Sequence, residues 1–533
     1  MGDPERPRKE RGALAIVLHT HMPYVEGFGT WPFGEEWLWE AMAGCYLPLL
    51  ELLDQREPAI TLSVTPVLLD QLSAPGMGER FERFIAETRK YTHEEDAQGL
   101  RKGGHGGLAA ELERAWREDY ERAAERMADR GGDVVGAMAR HASWTSTATH
   151  AVLPLAATDA GARLQIESGI AAHRAYFEGQ GQRMDRAGWR GGMWLPECGY
   201  APHIEPLLAR AGVRRTCVER TGEVAAGDAA HLRPIVGRAG LVLYPIDRRT
   251  IELVWSDRGY PADGVYRDYH RHTVHHHNPW RNDGEAYDHQ AALTCVRAHA
   301  CNFVSRVRER LRGEGEGLPG GGLAVCALDT ELLGHWWYEG VQWLGEVIEE
   351  CARQGVEMVR LDEADERFEP VPVSGFASGA APGSPSGLAS ESRPAPGLAP
   401  GPASVPAVGS ALDEWSCTRE MGVSTWGKDN DLSTWSGPAV AEMCVRVRRA
   451  ELEVVRAACE GTAGEAAVRE LLALQASDWP FMVSRGLAVP YAKERFEGHA
   501  DAFAKALAAG PGASTEGLRK LAGHSGSCPL RAP

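Results

Sequence analysis

The chain has 533 residues, of which 43% are hydrophobic and 25% charged. It is long enough for several domains, or for one large barrel with additions. Acidic residues outnumber basic residues by 74 to 57, which gives a net charge of −17. This balance disfavours nucleic acid and anionic membrane surfaces as partners, because both require a basic surface. No run approaches the ~20 apolar residues of a membrane span.

The eleven cysteines contain no CxxC pair. This spacing argues against both a zinc knuckle and a disulfide framework. Residues 1–12 are polar, and the apolar run that follows is too short for a signal sequence. We therefore expect reduced thiols and a cytoplasmic protein.

Strand-like and helix-like segments alternate along the first 350 residues. Short apolar runs predict buried strands at residues 13–18, 60–64, 192–195, 241–245 and 322–328. Amphipathic periodicity predicts helices at residues 107–130, 162–177, 289–311 and 337–351. The first of these helices belongs to an inserted helical arm around residues 80–135. The alternation predicts a parallel sheet or a barrel.

A change of composition divides this region from the rest of the chain. Residues 371–410 contain 8 Pro, 7 Gly, 8 Ser and 8 Ala, and such a segment cannot bury enough apolar surface to offset its ordering entropy. We predict three parts: residues 1–370, a disordered insertion or linker at residues 371–411, and an α-helical domain at residues 412–533. Helices in the last part are predicted at residues 438–459, 464–475 and 491–507.

Two histidines, His19 and His21, follow directly on the first strand in the sequence HTHMPY. Their spacing places both imidazoles on the same side of an extended chain. In a parallel barrel the carboxyl ends of the strands carry the active site. The pair could bind a metal, could hydrogen-bond a substrate, or could simply lie in a loop.

Two carboxylates also follow predicted strands. Glu197 lies in WLPECGY, between aromatic residues, and Asp329 begins DTELLGHWWYEG, which also contains His335. Two carboxyl groups in one cleft with aromatic neighbours are what a glycosidase needs. The alternatives are a salt bridge or helix N-terminal acid for Glu197 and a helix N-cap for Asp329.

Two further groups stand out in the sequence. Trp426 and Trp435 lie nine residues apart in a polar segment, STWGKDNDLSTW, and we interpret them as sugar-stacking platforms over the cleft, with interdomain packing as the alternative. The histidines 270, 272 and 275–277 could bind a transition metal, but we favour a surface loop.

In combination, the four motifs HTHMPY, WLPECGY, ALDTELLGHWWYEG and STWGKDNDLSTW resemble the α-glucan enzymes of glycoside hydrolase family 57, most closely its 1,4-α-glucan branching enzymes. EEWLWEA, ATHAVLPL, VWSDRGYP with the following Tyr266-Arg267, and SDWPFM support the resemblance. It extends from about residue 13 to residue 499, with residues 371–410 outside it.

The resemblance implies a (β/α)7 barrel, a retaining mechanism, no metal and no cofactor. It implies that Glu197 is the nucleophile and Asp329 the general acid/base. It implies substrate-binding roles for His19, His21, His150, Trp255, Arg267, His335, Trp426, Trp435 and Asp478. The expected partner is an α-glucan such as amylose or glycogen, and neither nucleic acid nor a membrane.

The chain departs from the family in two places. Residues 218–222 read VERTG where the family commonly carries an Asp and a His. Branching enzymes of the family also carry a tyrosine at the tip of a loop over the site. The corresponding residues 223–240 contain none, and Leu232 or Arg233 stands nearest that position.

Three alternatives to a branching enzyme follow. The first, favoured by the missing tyrosine, is an α-amylase or 4-α-glucanotransferase of the same family. The second is a metal-dependent barrel hydrolase with His19 and His21 as ligands. The third is a glucan-binding protein without activity.

Overall fold

The computed structural model describes residues 12–29, 34–178, 189–372, 421–526 and 528–531. Most of the predicted insertion, residues 373–411, therefore lies outside the described residues. The strands are β1 (Ala13–Thr20), β2 (Ile60–Val64), β3 (Ala142–Trp144), β4 (Arg215–Val218), β5 (Ile235–Val236), β6 (Val242–Pro245), β7 (Leu323–Asp329), β8 (Glu357–Met358) and β9 (Val371–Pro372).

Seven parallel segments close into a ring. β1 pairs with β2 on one side and with β7 on the other, and β2 pairs in turn with β3. Single bridges at Gly192 and Met193 then join β3 to β4, which pairs with β6. The Asp247 N–H donates to the Val325 carbonyl oxygen in β7 at 2.9 Å and closes the ring. The predicted (β/α)7 barrel is confirmed.

The residues of β1 show why this barrel forms. All eight, ALAIVLHT, are buried, as expected for a parallel strand that is covered on both faces. The fourth ring segment is shorter than the predicted strand at residues 192–195. The chain leaves the sheet at Trp194 because Pro196 begins a 3₁₀ turn, Pro196–Cys198, directly after it.

The α-helices alternate with the strands and then continue without them. They are α1 (Glu35–Ala41), α2 (Leu47–Arg56), α3 (Pro66–Leu72), α4 (Met77–Arg83), α5 (Lys90–Lys102), α6 (Gly106–Ala115), α7 (Arg122–Asp129), α8 (Val134–Ala139), α9 (Asp159–Phe177), α10 (Glu205–Arg210), α11 (Arg248–Glu252), α12 (His289–Gly313), α13 (Gly340–Gln354), α14 (Leu361–Ala364), α15 (Ser433–Ser436), α16 (Ala441–Cys459), α17 (Glu465–Leu474), α18 (Asp478–Arg485) and α19 (Val489–Ala509).

The helical arm lies between β2 and β3 and consists of α4 to α8. The helix predicted at residues 107–130 is present as α6 and α7, joined by a π-helical turn at Trp116–Glu121. Two residues of the predicted insertion are ordered, contrary to that prediction. Val371 and Pro372 form β9, which pairs with β5 beside the barrel.

The C-terminal helices form a second core against one side of the barrel. Val454, Leu471, Trp479 and Phe496 pack together with Leu164 of α9. These side chains come from α16 to α19, which confirms the helices predicted there. No helix among the described residues is both long and apolar enough to cross a membrane.

One buried carboxylate ties the two parts together. Glu451 in α16 is fully buried. It accepts hydrogen bonds from the N–H groups of Ala157 and Thr158 at 3.0 and 2.7 Å, and from the Thr158 hydroxyl and the Gln475 amide. Glu451 thus holds the N-terminus of α9, where an anion is favourable.

We predict that Glu451→Ala lowers the unfolding free energy by about 2–4 kcal/mol, because several buried donors lose their acceptor. A lower midpoint in urea denaturation would show this. Glu442→Ala, on an exposed position of the same helix, is the matched control. Equal midpoints for the two variants would contradict this role of Glu451.

Candidate active site

The pairing of β1 sets the floor of the site. His19, near the carboxyl end of β1, is in register with Ser63 on β2 and with Asp329 on β7. The strand ends therefore bring an imidazole and a carboxyl group together from residues 310 apart in sequence. The Asp329 side chain makes no N-cap hydrogen bond to the 3₁₀ turn that follows it, so the alternative interpretation as a helix cap is wrong.

Three histidines and a tryptophan stack beside the carboxyl groups. The His21 and His150 rings lie 3.8 Å apart at 15°, and His19 lies 4.9 Å from the Trp194 ring at 17°. Burial lowers the pKa of both His19 and His150 well below the usual value. Both imidazoles are therefore neutral at physiological pH.

A row of hydrogen bonds connects these rings to Glu197. The His19 and His150 Nε2 atoms are 2.9 Å apart, and His150 Nδ1 lies 2.8 Å from the Ser477 hydroxyl. That hydroxyl donates to Glu197 Oε1 at 3.1 Å. Since Ser477 donates its proton to Glu197, it accepts from His150 Nδ1–H.

The backbone at Glu197 is held in an unusual conformation. Glu197, Cys198 and His150 have φ angles of +59°, +50° and +61°, a left-handed region that costs about 1–2 kcal/mol for a residue with a Cβ. The Trp426 N–H donates to the Glu197 carbonyl oxygen at 2.8 Å and supports the turn. Strain of this kind is typical of functional sites.

The two carboxyl groups have raised pKa values. Burial, and then the negative charges of Asp329 and Asp478, raise the pKa of Glu197 to about 8. Burial raises the pKa of Asp329 to about 6, against the opposing effect of His21. Only 19% of the Glu197 side chain is exposed. Between these two pH values the pair holds one proton and one negative charge.

The C-terminal helices complete the site. Asp478, the first residue of α18, lies with Oδ1 2.9 Å from His21 Nε2, and Ser477 precedes it. Trp426 packs edge-on against Trp194, with ring centroids 5.0 Å apart. The site thus contains a carboxyl pair, neutral imidazoles and aromatic walls, which suits acid/base and nucleophilic chemistry on a neutral sugar.

Comparison with known proteins agrees with this chemistry. The model of glycosyl hydrolase family 57 matches residues 144–374, and that of the C-terminal domain of 1,4-alpha-glucan branching enzymes matches residues 439–524. A probable 1,4-alpha-glucan branching enzyme from Mycobacterium tuberculosis is 31% identical over 94% of this chain and 93% of its own length. The chain belongs to glycosyl hydrolase family 57.

Other members of family 57 are similar over most of the chain. A 1,4-alpha-glucan branching enzyme from Thermococcus kodakarensis is 30% identical over 92% of this chain and 73% of its own length. The crystal structure of a GH57-type branching enzyme from Pyrococcus horikoshii superposes with a TM-score of 0.78 at 27% identity, over 98% of this chain and 97% of that one.

Two of the predicted substrate-binding residues, Arg267 and His335, lie apart from the carboxyl pair. Both line a separate cavity of about 370 Å³ between the helical arm and residues 267–278. The Arg267 guanidinium pairs with Glu111 and lies 3.8 Å from the centre of the Tyr338 ring. The substrate contacts predicted for Arg267 and His335 would therefore lie in this cavity and not beside the carboxyl pair.

The prediction that Trp435 forms an open platform over the cleft is wrong. Its side chain is only 2% exposed and lies against Gly427, where an added Cβ would come within 2.7 Å of the ring. The indole supports the loop that carries Trp426. Trp255, three residues after the end of α11, is 47% exposed, which leaves its ring accessible.

The expected position of Leu232 near the site is also wrong. Leu232 is 1% exposed and packs 3.3 Å from the Cβ position of Gly322, which immediately precedes β7. This is the opposite end of the strand from Asp329. The apolar side chain belongs to the barrel core.

The histidine-rich segment is part of the wall of the second cavity. His275 Nδ1 lies 2.7 Å from Asp96 Oδ1, and His277 bonds Thr92 of the helical arm. Within the described part of the chain these histidines do not converge on one metal position. The loop interpretation is correct, although His277 itself is buried.

Several residues that shape the site were not predicted. Ser477 contacts Glu197, Trp194 stacks on His19, and the Glu331 carboxylate accepts from the His21 N–H at 3.1 Å. Each lies within or beside a motif that was noted. A serine, a tryptophan or a glutamate at these positions could equally have had a purely structural role, so the sequence alone did not identify them as site residues.

The pH dependence of kcat/KM on amylose should be bell-shaped, with half-maximal activity near pH 6 and pH 8. Below about pH 6 both carboxyls are protonated and no nucleophile remains, and above about pH 8 both are ionised and no acid remains. Initial rates after pre-incubation at each pH control for unfolding. A plateau that extends to pH 4 would contradict the raised pKa values.

Proposed function

We propose that the protein is a 1,4-α-glucan branching enzyme, which cleaves an α-1,4-glucan and transfers the chain to a 6-hydroxyl group. One observation carries the proposal. The segment that matches the branching-enzyme C-terminal domain supplies Ser477 and Asp478, which bond Glu197 and His21 directly. The part of the chain characteristic of branching enzymes is therefore also part of the site.

In the first step the Glu197 carboxylate attacks the anomeric carbon of the bound glucan. A glycosyl–carboxylate bond forms while the bond to the departing O4 breaks, and Asp329 donates its proton to that oxygen. The Ser477 hydroxyl stabilises the Glu197 carboxylate before attack. Among the described residues we find no hydrogen bond to the Asp329 side chain, so Asp329 is free to donate to substrate.

Without substrate, the shared proton lies mostly on the carboxyl group that the proposed mechanism needs ionised. The pKa of Glu197 is the higher of the two, so the shared proton resides mostly on the proposed nucleophile. The proposed roles need it on Asp329. We expect glucan binding to move the proton, because a glycosidic oxygen placed against Asp329 gives a protonated carboxyl a hydrogen-bond acceptor.

In the second step Asp329 accepts the proton of an incoming 6-hydroxyl. The oxygen of that hydroxyl bonds the anomeric carbon and Glu197 is released, so the linkage formed is α-1,6. Water at the same position would give hydrolysis instead. Trp426, packed edge-on against the buried Trp194, offers an apolar wall that favours a sugar over water.

The proposal extends to the biological setting. Chains with α-1,6 branches are the product of glycogen biosynthesis, and the chemistry of this site supplies that step. The nine cysteines whose side chains are described are all free, which suits a reducing cytoplasm. The proposed partner is an α-glucan such as amylose or glycogen.

The test is the purified protein on linear amylose, with α-1,6 linkages followed by proton NMR and reducing ends followed in parallel. We expect α-1,6 signals to rise with few new reducing ends. Glu197→Gln and Asp329→Asn should each lower the rate by at least about a thousandfold, while retention on an amylose affinity gel persists.

Three outcomes would contradict the proposal. New reducing ends without α-1,6 signals would make the protein an amylase. A changed distribution of α-1,4 chain lengths, with neither new reducing ends nor α-1,6 signals, would make it a 4-α-glucanotransferase. Residual turnover above a few per cent in either variant would contradict the assigned carboxyl pair. Cys217→Ser, a buried change near the site that alters no proposed contact, is the matched control.

A further inference from the structure

Three metal-ligating side chains meet away from the carboxyl pair. Cys295 and His299 lie one turn apart on α12, so they share one face of the helix. Asp263 approaches them from the segment after β6. Potential ligand atoms of all three lie within 4.8 Å of one another.

The separations are a few tenths of an ångström longer than a tetrahedral metal ion requires. The His299 Nε2 atom lies 3.8 Å from Asp263 Oδ2 and 4.0 Å from Cys295 Sγ. Ligand bonds of about 2.0–2.3 Å at tetrahedral angles need separations of roughly 3.3–3.6 Å. Cys295 Sγ now lies 3.7 Å from His299 Nδ1. Side-chain rotations that move Cys295 Sγ and Asp263 Oδ2 a few tenths of an ångström toward Nε2 would bring these two separations into that range.

The surroundings of His299 resemble those of a metal ligand. The Tyr266 hydroxyl lies 2.8 Å from His299 Nδ1 and can fix the tautomer that leaves Nε2 free to bind. The Tyr260 ring stacks on the imidazole with centroids 4.4 Å apart. A ring held on both its edge and its face is oriented before a metal arrives.

The site is open to ions and suits a soft divalent metal. Asp263 and His299 are 36% and 20% exposed in their side chains, and Cys295 is partly exposed. The Cys295 thiol must release its proton to solvent when a metal binds.

We propose that Asp263, Cys295 and His299 form a binding site for a thiophilic divalent transition metal, with Zn²⁺ as the best fit and water as a fourth ligand. A mixed sulfur, nitrogen and oxygen set favours Zn²⁺ over Mg²⁺ or Ca²⁺. Bound metal would cross-link the segment at Asp263 to α12. Since Arg267 follows four residues later, the metal would stabilise one wall of the second cavity.

The test uses Co²⁺ added to chelator-treated protein, with the absorption spectrum as the readout. We expect a thiolate-to-cobalt charge-transfer band that Zn²⁺ abolishes by competition. Cys295→Ser should lose the band, and Cys301→Ser, an exposed cysteine on the same helix, should keep it. Tyr266→Phe should keep the band but weaken Co²⁺ binding about tenfold.

A second measurement separates this site from the carboxyl pair. His21, His150 and Asp478 also lie within metal-ligand distance, but they include no thiol, so His150→Gln should leave the band unchanged. Zn²⁺ should raise the melting temperature of the wild type more than that of Cys295→Ser.

The proposal fails if the wild type shows no charge-transfer band, if Cys295→Ser keeps it, or if Cys301→Ser loses it. Circular dichroism and unchanged glucan activity without metal would establish that Cys295→Ser is folded. Because the band reports a cobalt–thiolate bond, its outcome is independent of which glucan reaction the protein catalyses.

Discussion

A carboxylate removed from water loses several kcal/mol of solvation free energy unless hydrogen-bond donors surround it. This site buries two carboxyl groups, those of Glu197 and Asp329. The negative charge of Asp329 disfavours ionisation of Glu197. The result is a pair that holds a single proton over the neutral pH range. The remainder of the site serves to keep that pair in place.

Around Glu197 the protein offsets this cost with neutral hydrogen-bonding groups rather than with cations. His19 and His150 are buried and uncharged, and they connect to Glu197 through Ser477. A lysine or arginine in the same position would hold both carboxyls ionised and would leave no acid. Neutral donors stabilise one negative charge and leave the proton available for transfer.

The need to hold the carboxyl pair in place explains why two distant parts of the chain fold into one unit. Ser477 lies 280 residues from Glu197 in sequence, and Glu451 fastens the helices that carry it to α9 of the barrel. The left-handed backbone at Glu197 persists because the Trp426 N–H and the neighbouring walls hold it. Stability elsewhere thus offsets strain at the site.

The sequence predicted those parts of the structure that depend on local pattern. The apolar run of β1 and the carboxyl groups at strand ends were recognisable because their residue types are unusual in those contexts. Ser477 was not, since a serine has no distinctive signal until the fold brings it to Glu197. Trp435 was misplaced because a tryptophan in a polar segment looked exposed, whereas Gly427 leaves room for its ring. Leu232 was misplaced because a loop of altered length does not reveal which end of the barrel it covers.

The central claim is that Glu197 forms the covalent bond to the sugar although its free pKa is the higher of the pair. The most direct test incubates the wild-type protein with a 5-fluoro α-glycosyl fluoride, whose glycosyl–enzyme intermediate breaks down slowly, and maps the labelled peptide by mass spectrometry. The account predicts one glycosyl group on the peptide that contains Glu197. A label on the peptide that contains Asp329 would reverse the roles, and a reaction that turns over without any label would contradict a retaining mechanism.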